Sequence, residues 1–225
     1  MAPKLRTCPY LSKDELSTLL VQQRYYGMNF LAHFFLSGKD DHLMVGNFLG
    51  DYLNNAQVSQ LPPAVQKGVA LHRAIDSYTD QHPEVLKGVR RMYDRHSKYA
   101  PVIIDVFYDY FLALNWSTYS EQPLSDFILD AYACLKRHHH LMPEPVHTYV
   151  PKMIADNWLE TYATHNGIAY TFRRMSHRVS RPELLAGALD TMVSHFQELN
   201  TEFNAFFPDA IRHAKAFVKQ AAPPQ

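Results

Sequence analysis

Cysteine and long apolar runs are scarce in this sequence. Only Cys8 and Cys134 occur among 225 residues, and their separation matches neither a zinc-ligand spacing nor a disulfide framework. No run of 18 consecutive apolar residues is present, so we expect no transmembrane helix. The first twenty residues turn charged before any apolar core of the signal-peptide kind has formed. These absences predict a cytoplasmic protein with reduced cysteines.

An excess of charge of either sign is also missing. The chain carries 22 Lys and Arg against 22 Asp and Glu, a formal net charge of zero. Bulk electrostatic attraction to nucleic acid or to a membrane surface therefore gets no support, and we expect neither as a partner. The hydrophobic fraction of 47% is large enough for a substantial core.

Glycine is rare, with eight residues, and alternating strand patterns bounded by Asn-Gly or Asp-Gly turns are lacking. Apolar residues instead recur at three- and four-residue spacing, which predicts an all-α fold, a compact multi-helix bundle. "SKDE" at 12–15 is a capping-box pattern that predicts a helix over 13–26. Further helices are predicted over 42–54, 62–80, 83–98, 101–117, 122–138, 145–163 and 166–178, and a long one from Pro182 that ends or breaks at Pro208, with other prolines at helix starts or between helices.

The domain organisation follows from the same pattern. Residues 1–27 are interpreted as a helical N-terminal extension, and 28–220 as a single helical domain. The run of three histidines at 138–140 is interpreted as an exposed helix end, because consecutive helical residues point about 100° apart and cannot all face one ion.

Two carboxylates in an apolar helix give the first indication of function. Asp105 and Asp109 are the only acids between Val102 and Leu114, a segment without lysine or arginine. Residues four apart share a helix face, so the two acids are expected to confront each other in a buried setting. Arginines from other helices, a shared proton or a metal cation could each compensate their burial.

Three more segments favour the metal. His72 and Asp76 are four residues apart, as are Asn47 and Asp51, and His33 lies inside the apolar run "NFLAHFFL". Mixed nitrogen and oxygen donors suit manganese, iron, magnesium or zinc, while the lack of thiolates among them argues against structural zinc. Carboxylate-rich sites favour harder ions, so manganese or magnesium leads. Such a site lowers the pKa of bound water and neutralises a phosphoryl oxygen, which best fits hydrolysis of a phosphate ester.

Four ordered motifs resemble one known family. "MNFLAHFFL", "GNFLGDYL", "LHRAIDSYTDQHPEV" and "APVIIDVFYDYFLALNWSTYS" are similar, in order and spacing, to the acyl carrier protein phosphodiesterases, and the likeness runs from Met28 to about Phe207. The resemblance implies a distorted HD-domain-like metallohydrolase fold. It also implies a manganese-dependent enzyme of fatty acid biosynthesis that removes the 4′-phosphopantetheine arm from holo-acyl carrier protein and leaves the apo form.

The resemblance also implies a set of site residues. Metal ligation is expected from His33, Asp51, His72, Asp76, Asp105 and Asp109, and catalytic roles from Asp76, Arg73 and Asp109. One acid would orient or deprotonate the water, and Arg73 would either neutralise the phosphate or pair with a neighbouring acid. The chain departs from the family pattern at Tyr110, where a histidine is usual, and it lacks an adjacent His-Asp pair.

A protein substrate of this family is acidic, so a basic docking face is expected. Two basic segments could provide it: a helix with Lys87, Arg90, Arg91 and Arg95 along one side, and "FRRMSHRVSR" with Arg173, Arg174, Arg178 and Arg181. Two alternatives remain open at this point. One is an HD-like metal-dependent phosphohydrolase acting on a nucleotide or another small phosphoester. The other is a helical binding module whose buried acids pair with arginines.

Overall fold

The computed structural model describes residues 30–177 and 179–220, and every regular element within these ranges is helical. The predicted all-α fold is confirmed. The expected extension at 1–27 and its helix at 13–26 lie outside the described residues. The helices are α1 (Phe30–Leu36), α2 (Asp41–Leu49), α3 (Asn55–Val58), α4 (Pro63–Thr79), α5 (Pro83–His96), α6 (Ala100–Leu114), α7 (Trp116–Tyr119), α8 (Leu124–Arg137), α9 (Val146–Ala155), α10 (Trp158–Thr161), α11 (His165–Ser176), α12 (Ala188–Ser194) and α13 (Phe196–Gln220).

The predicted helix over 145–163 is wrong, because the chain breaks it into α9 and α10. Asn157 lies between them in the left-handed region with φ of 49°, a conformation that cannot continue a helix. Pro151 lies inside α9 and not at a boundary. It removes the N–H that would reach the His147 carbonyl, and the His139 ring nitrogen Nε2 lies 2.7 Å from that oxygen instead.

The predicted long helix from Pro182 is also wrong in its bounds. A short 3-10 turn covers Pro182–Leu184, α12 follows, and α13 begins only at Phe196. Pro208 neither ends nor breaks α13, which continues to Gln220. Buried residues lie on both sides of the proline, among them Phe203 and Ala210. Because this apolar stripe continues, its packing outweighs the one backbone hydrogen bond that the proline removes.

The crossing of α2 over α4 fixes the part of the fold that matters most for function. Gly46 and Gly68 meet at this crossing: a Cβ on Gly46 would lie 2.1 Å from the Val65 carbonyl oxygen, and one on Gly68 would lie 2.5 Å from that of Leu43. Only glycine permits so close an approach of two helix backbones. The crossing also places Gly50, directly after α2, against His72 near the middle of α4.

Two hydrophobic clusters fill the interior. The larger one surrounds α6 and packs it against α4, α5 and α13, while the smaller joins α1 and α2 to α8 and α9. Helix α1 contributes to both, with Leu31 in one and Phe34 in the other. Among the described residues, no helix has the length and apolarity needed to cross a membrane.

Candidate active site

The site forms where α4 lies against the end of α2. His72 on α4 places Nε2 at 3.2 Å from Asp76 Oδ2, one helical turn away, and at 3.1 Å from Asp51 Oδ1, in the loop after α2. The imidazole of His72 is buried, whereas Asp76 and Asp51 keep 14% and 22% of their side chains exposed. The i, i+4 spacing predicted from the sequence therefore does bring His72 and Asp76 together. The partly exposed carboxylates of Asp76 and Asp51 connect the cluster to solvent.

Gly50 makes room for the imidazole of His72. A Cβ at position 50 would lie 2.2 Å from the ring Cγ of His72, which no side-chain shift within this packed corner could relieve. The glycine in "GNFLGDYL" is thus explained by a close approach and not by a turn. Its backbone φ of −56° is ordinary.

His33 enters from α1 and is oriented by Asn47. Asn47 donates through Nδ2 to the His33 carbonyl at 2.9 Å and to Ser37 Oγ at 2.8 Å, so its Oδ1 is left to accept from His33 Nδ1–H at 2.6 Å. Asn47 is fully buried. The sequence paired it with Asp51 as a candidate donor, but its contacts fix the tautomer of His33.

This tautomer directs a lone pair of His33 towards Asp76. With the proton on Nδ1, the Nε2 of a neutral His33 ring is unprotonated, and it lies 3.4 Å from Asp76 Oδ1. Nε2 is buried and makes no hydrogen bond in the described structure. A lone pair facing a carboxylate is repulsive unless a cation or a second proton lies between them. The rings of His33 and His72 stack with centroids 4.3 Å apart, so both imidazoles face the same acid.

The donor set fits a divalent metal ion. His33, His72 and Asp76 each offer one ligand atom, and these atoms lie within 4.8 Å of one another. An ion that binds two neighbouring ligands at about 2.1 Å and at right angles separates them by about 3.0 Å. The separations of His33 and His72 from Asp76, 3.4 and 3.2 Å, are close to that value. The cluster is therefore consistent with a divalent cation.

The protonation of His72 follows from its two acidic neighbours. Burial alone would lower the pKa of His72, but the carboxylates of Asp76 and Asp51 outweigh burial and raise the pKa to about 10. Without a metal, the imidazole is therefore a cation that compensates two carboxylates. A metal ion at this cluster would replace that proton.

Asp109 lies beneath the start of α1. Its Oδ2 accepts from the Leu31 N–H and its Oδ1 from the Ala32 N–H, both at 2.9 Å. The carboxyl is completely buried, and burial raises the pKa of Asp109 to about 8 against the opposing effect of the two backbone hydrogen bonds. Asp109 thus holds the N-terminal turn of the helix that carries His33. Its assignment as a metal ligand stays a prediction.

Asp105 and Arg73 have other surroundings. Asp105 is half-buried one turn before Asp109, and its charge contributes to the raised pKa of Tyr108, for which burial is the main cause. Among the described residues, the groups that could hold an ion do not include Asp105 or Asp109. Arg73 is exposed on α4, next to His72. The roles predicted for Asp105 and Arg73 also stay predictions.

Tyr110, where the family usually has histidine, is a buried hydrogen-bonding residue here. Its hydroxyl lies 2.9 Å from His165 Nε2 on α11, and its ring packs edge-on against Phe196. Tyr110 therefore points towards α11 and α13. An imidazole does lie beside this position, but it comes from His165.

A row of aromatic side chains extends from Asp51 towards α11. Tyr52, directly after Asp51, packs against Tyr149 at 5.6 Å between ring centroids, and Tyr149 stacks on Trp158 at 6.1 Å. The guanidinium of Arg174 lies over Trp158 at 4.2 Å from the ring centroid. Among the described residues, no carboxylate forms an ion pair with Arg174.

The basic stripe predicted on α5 is partly neutralised. Lys87 pairs with Glu84 at 2.7 Å, and Arg91 donates through Nε and Nη2 to the buried Glu202 at 2.9 and 2.8 Å. Arg95 packs beneath Gly187 and hydrogen-bonds a threonine. Of the second predicted basic group, Arg178 lies outside the described residues.

Comparisons with known proteins agree with the motifs. The family described as acyl carrier protein phosphodiesterase matches residues 28–210. A protein of that name from Photorhabdus laumondii is 30% identical over 192 residues, covering 84% of this chain and 96% of its own. Those from Yersinia enterocolitica and Salmonella dublin are each 31% identical and cover 98% and 97% of their own lengths. No solved structure matches, so the HD-like detail of the fold stays a prediction. The chain belongs to the acyl carrier protein phosphodiesterase family.

Proposed function

We propose that this protein is a metal-dependent phosphodiesterase that hydrolyses the 4′-phosphopantetheine arm from holo-acyl carrier protein and releases the apo form. The observation that carries the proposal is that His33, His72 and Asp76 bring their ligand atoms close together. The relatives of this chain are named for the same activity. The proposal includes a cytoplasmic location, as expected from the sequence.

His33, His72 and Asp76 are the proposed metal ligands, with Asp51 as the outermost acid. Carboxylate and imidazole donors favour manganese, with magnesium or iron as the alternatives. When bound, the ion lowers the pKa of a water molecule and stabilises negative charge on the phosphoryl group. Asp105 and Asp109 were expected to complete the set. The hydrogen bonds of Asp109 to α1 support a positioning role for it instead.

The residues of the chain supply orientation and proton transfer. Asp51 is the most exposed of the clustered acids and is the proposed general base, with Asp76 as the alternative, because it borders solvent and can accept a proton from the attacking water. Arg73 projects into solvent beside His72 and is proposed to bind a non-bridging phosphate oxygen. Tyr52 follows Asp51 in the chain and packs against Tyr149, which feels the charge of Asp51, and the two rings are proposed to limit the water that reaches this acid.

The substrate requires contact with a protein as well as with a phosphodiester. Since Lys87 and Arg91 have carboxylate partners, Arg174 is better suited to this contact. Its guanidinium is held over the Trp158 ring at 4.2 Å from the centroid, so little side-chain entropy is lost when its N–H groups meet a carboxylate. Arg173 on the same helix is exposed and adds positive charge.

The proposal is tested by incubating the protein with holo-acyl carrier protein and manganese and measuring the mass of the carrier. Loss of the phosphopantetheine mass is expected with metal and not with chelator. His72→Ala should abolish the loss and bind less manganese. Metal-bound protein that leaves the carrier unchanged would refute the substrate, and a panel of nucleotides would then test the small-phosphoester alternative.

Arg174→Gln tests the contact with the carrier. The variant should lower the use of holo-acyl carrier protein roughly tenfold, the loss of about 1.4 kcal/mol expected for a charge-assisted hydrogen bond. It should spare a small phosphodiester substrate. Arg212→Gln is the matched control, because Arg212 is equally cationic but lies on α13 paired with Asp209. Equal losses on both substrates would argue against docking at Arg174.

A further inference from the structure

A second group of potential metal ligands lies at the opposite end of α2. Asp41, Cys134 and His138 each offer one ligand atom, and these atoms lie within 4.8 Å of one another. The group shares no residue with the cluster of His33, His72 and Asp76. Along α2, the rise from Asp41 to Leu49 is roughly 12 Å, so the two groups lie near opposite ends of the same helix.

The local sequence explains why these side chains meet. Cys134 lies in the last turn of α8 and His138 is the residue after that helix ends, four positions later, so both point to one side. Asp41 is the first residue of α2, and the packing of α2 against α8 brings it to this side. The partners are more than ninety residues apart in the chain, which is why neither cysteine spacing nor the histidine run revealed the group.

Existing contacts already hold the ligand atoms together. Cys134 Sγ lies 3.5 Å from the Asp41 carbonyl oxygen, and His138 Nδ1 lies 3.1 Å from the Cys134 carbonyl oxygen and 3.9 Å from Asp41 Oδ2. Arg137 donates to Asp41 Oδ2 at 2.7 and 2.9 Å. The arginine side chain is 56% exposed, so it can turn into solvent at little cost.

Additional imidazoles surround the group. The ring of His42 lies edge-on to that of His138 with centroids 5.1 Å apart, and the ring of His140 lies 6.4 Å from His138. His42 is exposed in the first turn of α2, next to Asp41, and can rotate towards the group. One cysteine, one carboxylate and two histidines are the donor types of a tetrahedral zinc site.

We propose that Asp41, His42, Cys134 and His138 form a second metal site, which binds zinc or a similar borderline divalent cation. On binding, the S–H bond of Cys134 breaks, its proton passes to solvent, and a sulfur–metal bond forms. The thiolate and the carboxylate then balance the two positive charges of the ion, and Arg137 is displaced from Asp41. Thiolate ligation distinguishes this site from the cluster of His33, His72 and Asp76, whose donors are nitrogen and oxygen.

Burial is the principal cost of this site. It raises the pKa of the Cys134 thiol to about 12, so the metal-free protein carries a thiol and not a thiolate. Metal binding therefore competes with one proton, and the affinity should increase with pH. Once bound, the ion would tie the start of α2 to the end of α8 and thereby stabilise the helix that carries Asn47.

Cobalt titration tests the site without depending on enzyme activity. Thiolate ligation to Co²⁺ produces a sulfur-to-metal charge-transfer band in the near ultraviolet, which the cluster of His33, His72 and Asp76 cannot produce. The band should be complete once both sites are filled, at two equivalents of cobalt per chain, and zinc should displace it. Cys134→Ser should eliminate the band, whereas the matched variant Cys8→Ser should retain it.

His138→Gln provides a second variant, because it leaves the buried cysteine in place. It should weaken zinc affinity by at least roughly 100-fold, since even residues that only support a ligand change affinity by 10–100-fold. His72→Ala should leave the cobalt band unchanged. Absence of the band in the wild type, or its persistence in Cys134→Ser, would overturn the proposal, and neither result bears on phosphodiester hydrolysis.

Discussion

Asn47→Ala is the substitution that most directly tests the assembly of the metal cluster. Asn47 is fully buried and makes three side-chain hydrogen bonds, of 2.6, 2.9 and 2.8 Å, to His33 and Ser37. Alanine leaves His33 Nδ1 without its partner, whereas the His33 carbonyl keeps the hydroxyl and N–H of Ser37 as donors. A buried unsatisfied group costs about 1–3 kcal/mol, and the free energy of unfolding should fall by roughly that amount. The manganese affinity should fall about 10–100-fold, because the ring of His33 is no longer held with Nε2 towards Asp76.

Two measurements separate stability from orientation. Urea unfolding in the presence of chelator gives the loss of stability, and manganese titration of the folded variant gives the loss of affinity. Ser37→Ala is the matched control: it removes one partner of Asn47 at 2.8 Å and one donor to the His33 carbonyl, and should cost about 1–3 kcal/mol with unchanged affinity.

A double-mutant cycle makes the reasoning refutable. If Asn47 acts on the metal only through His33, then Asn47→Ala should cause no further loss of affinity in a His33→Ala background. Additive losses would show that Asn47 affects the metal by another route. An unchanged affinity in Asn47→Ala alone would show that the tautomer of His33 does not matter.

Two further predictions concern His72 and Asp109. The folded-state pKa of His72, about 10, exceeds its ordinary value of 6.5, so its contribution to the stability of the metal-free protein is fully present below pH 6.5 and is lost as pH rises through 10. Unfolding measured in chelator across that window should show this decline in wild type and not in His72→Gln, and equal slopes would contradict the raised pKa. Asp109→Asn replaces one of two acceptors with an N–H donor facing the start of α1. It should destabilise the protein by about 1–3 kcal/mol and reduce manganese affinity, whereas an unchanged melting temperature would refute the capping role.

Helical periodicity predicted the fold class and most helices, because apolar stripes and prolines are local signals. It could not predict the break at Asn157, which depends on one left-handed residue, nor the continuation of α13 through Pro208. Both outcomes depend on packing between helices. A proline in a sequence shows that one hydrogen bond is lost but not whether buried side chains beyond it compensate that loss.

The candidate site was predictable to the extent that its residues share a helix. His72 and Asp76 follow the i, i+4 rule on α4, and the structure brings them together as expected. The roles of Asn47 and Gly50 were not predictable, because each acts on a histidine from another helix. Spacing within a helix determines which side chains face the same way, whereas their partners depend on how the helices pack.

The buried carboxylate of Asp109 illustrates that distinction most clearly. An acid in an apolar helix suggests a metal ligand, an ion pair or a shared proton, but the start of a helix also compensates a carboxylate through its N–H groups and dipole. The seven residues described for α1 are too few to form a stable helix on their own. Its position is set by Asp109 at its N-terminal turn and by Asn47 beside His33. Because one partner comes from α6 and the other from α2, the orientation of His33 depends on both helices being in place, and so does the metal cluster.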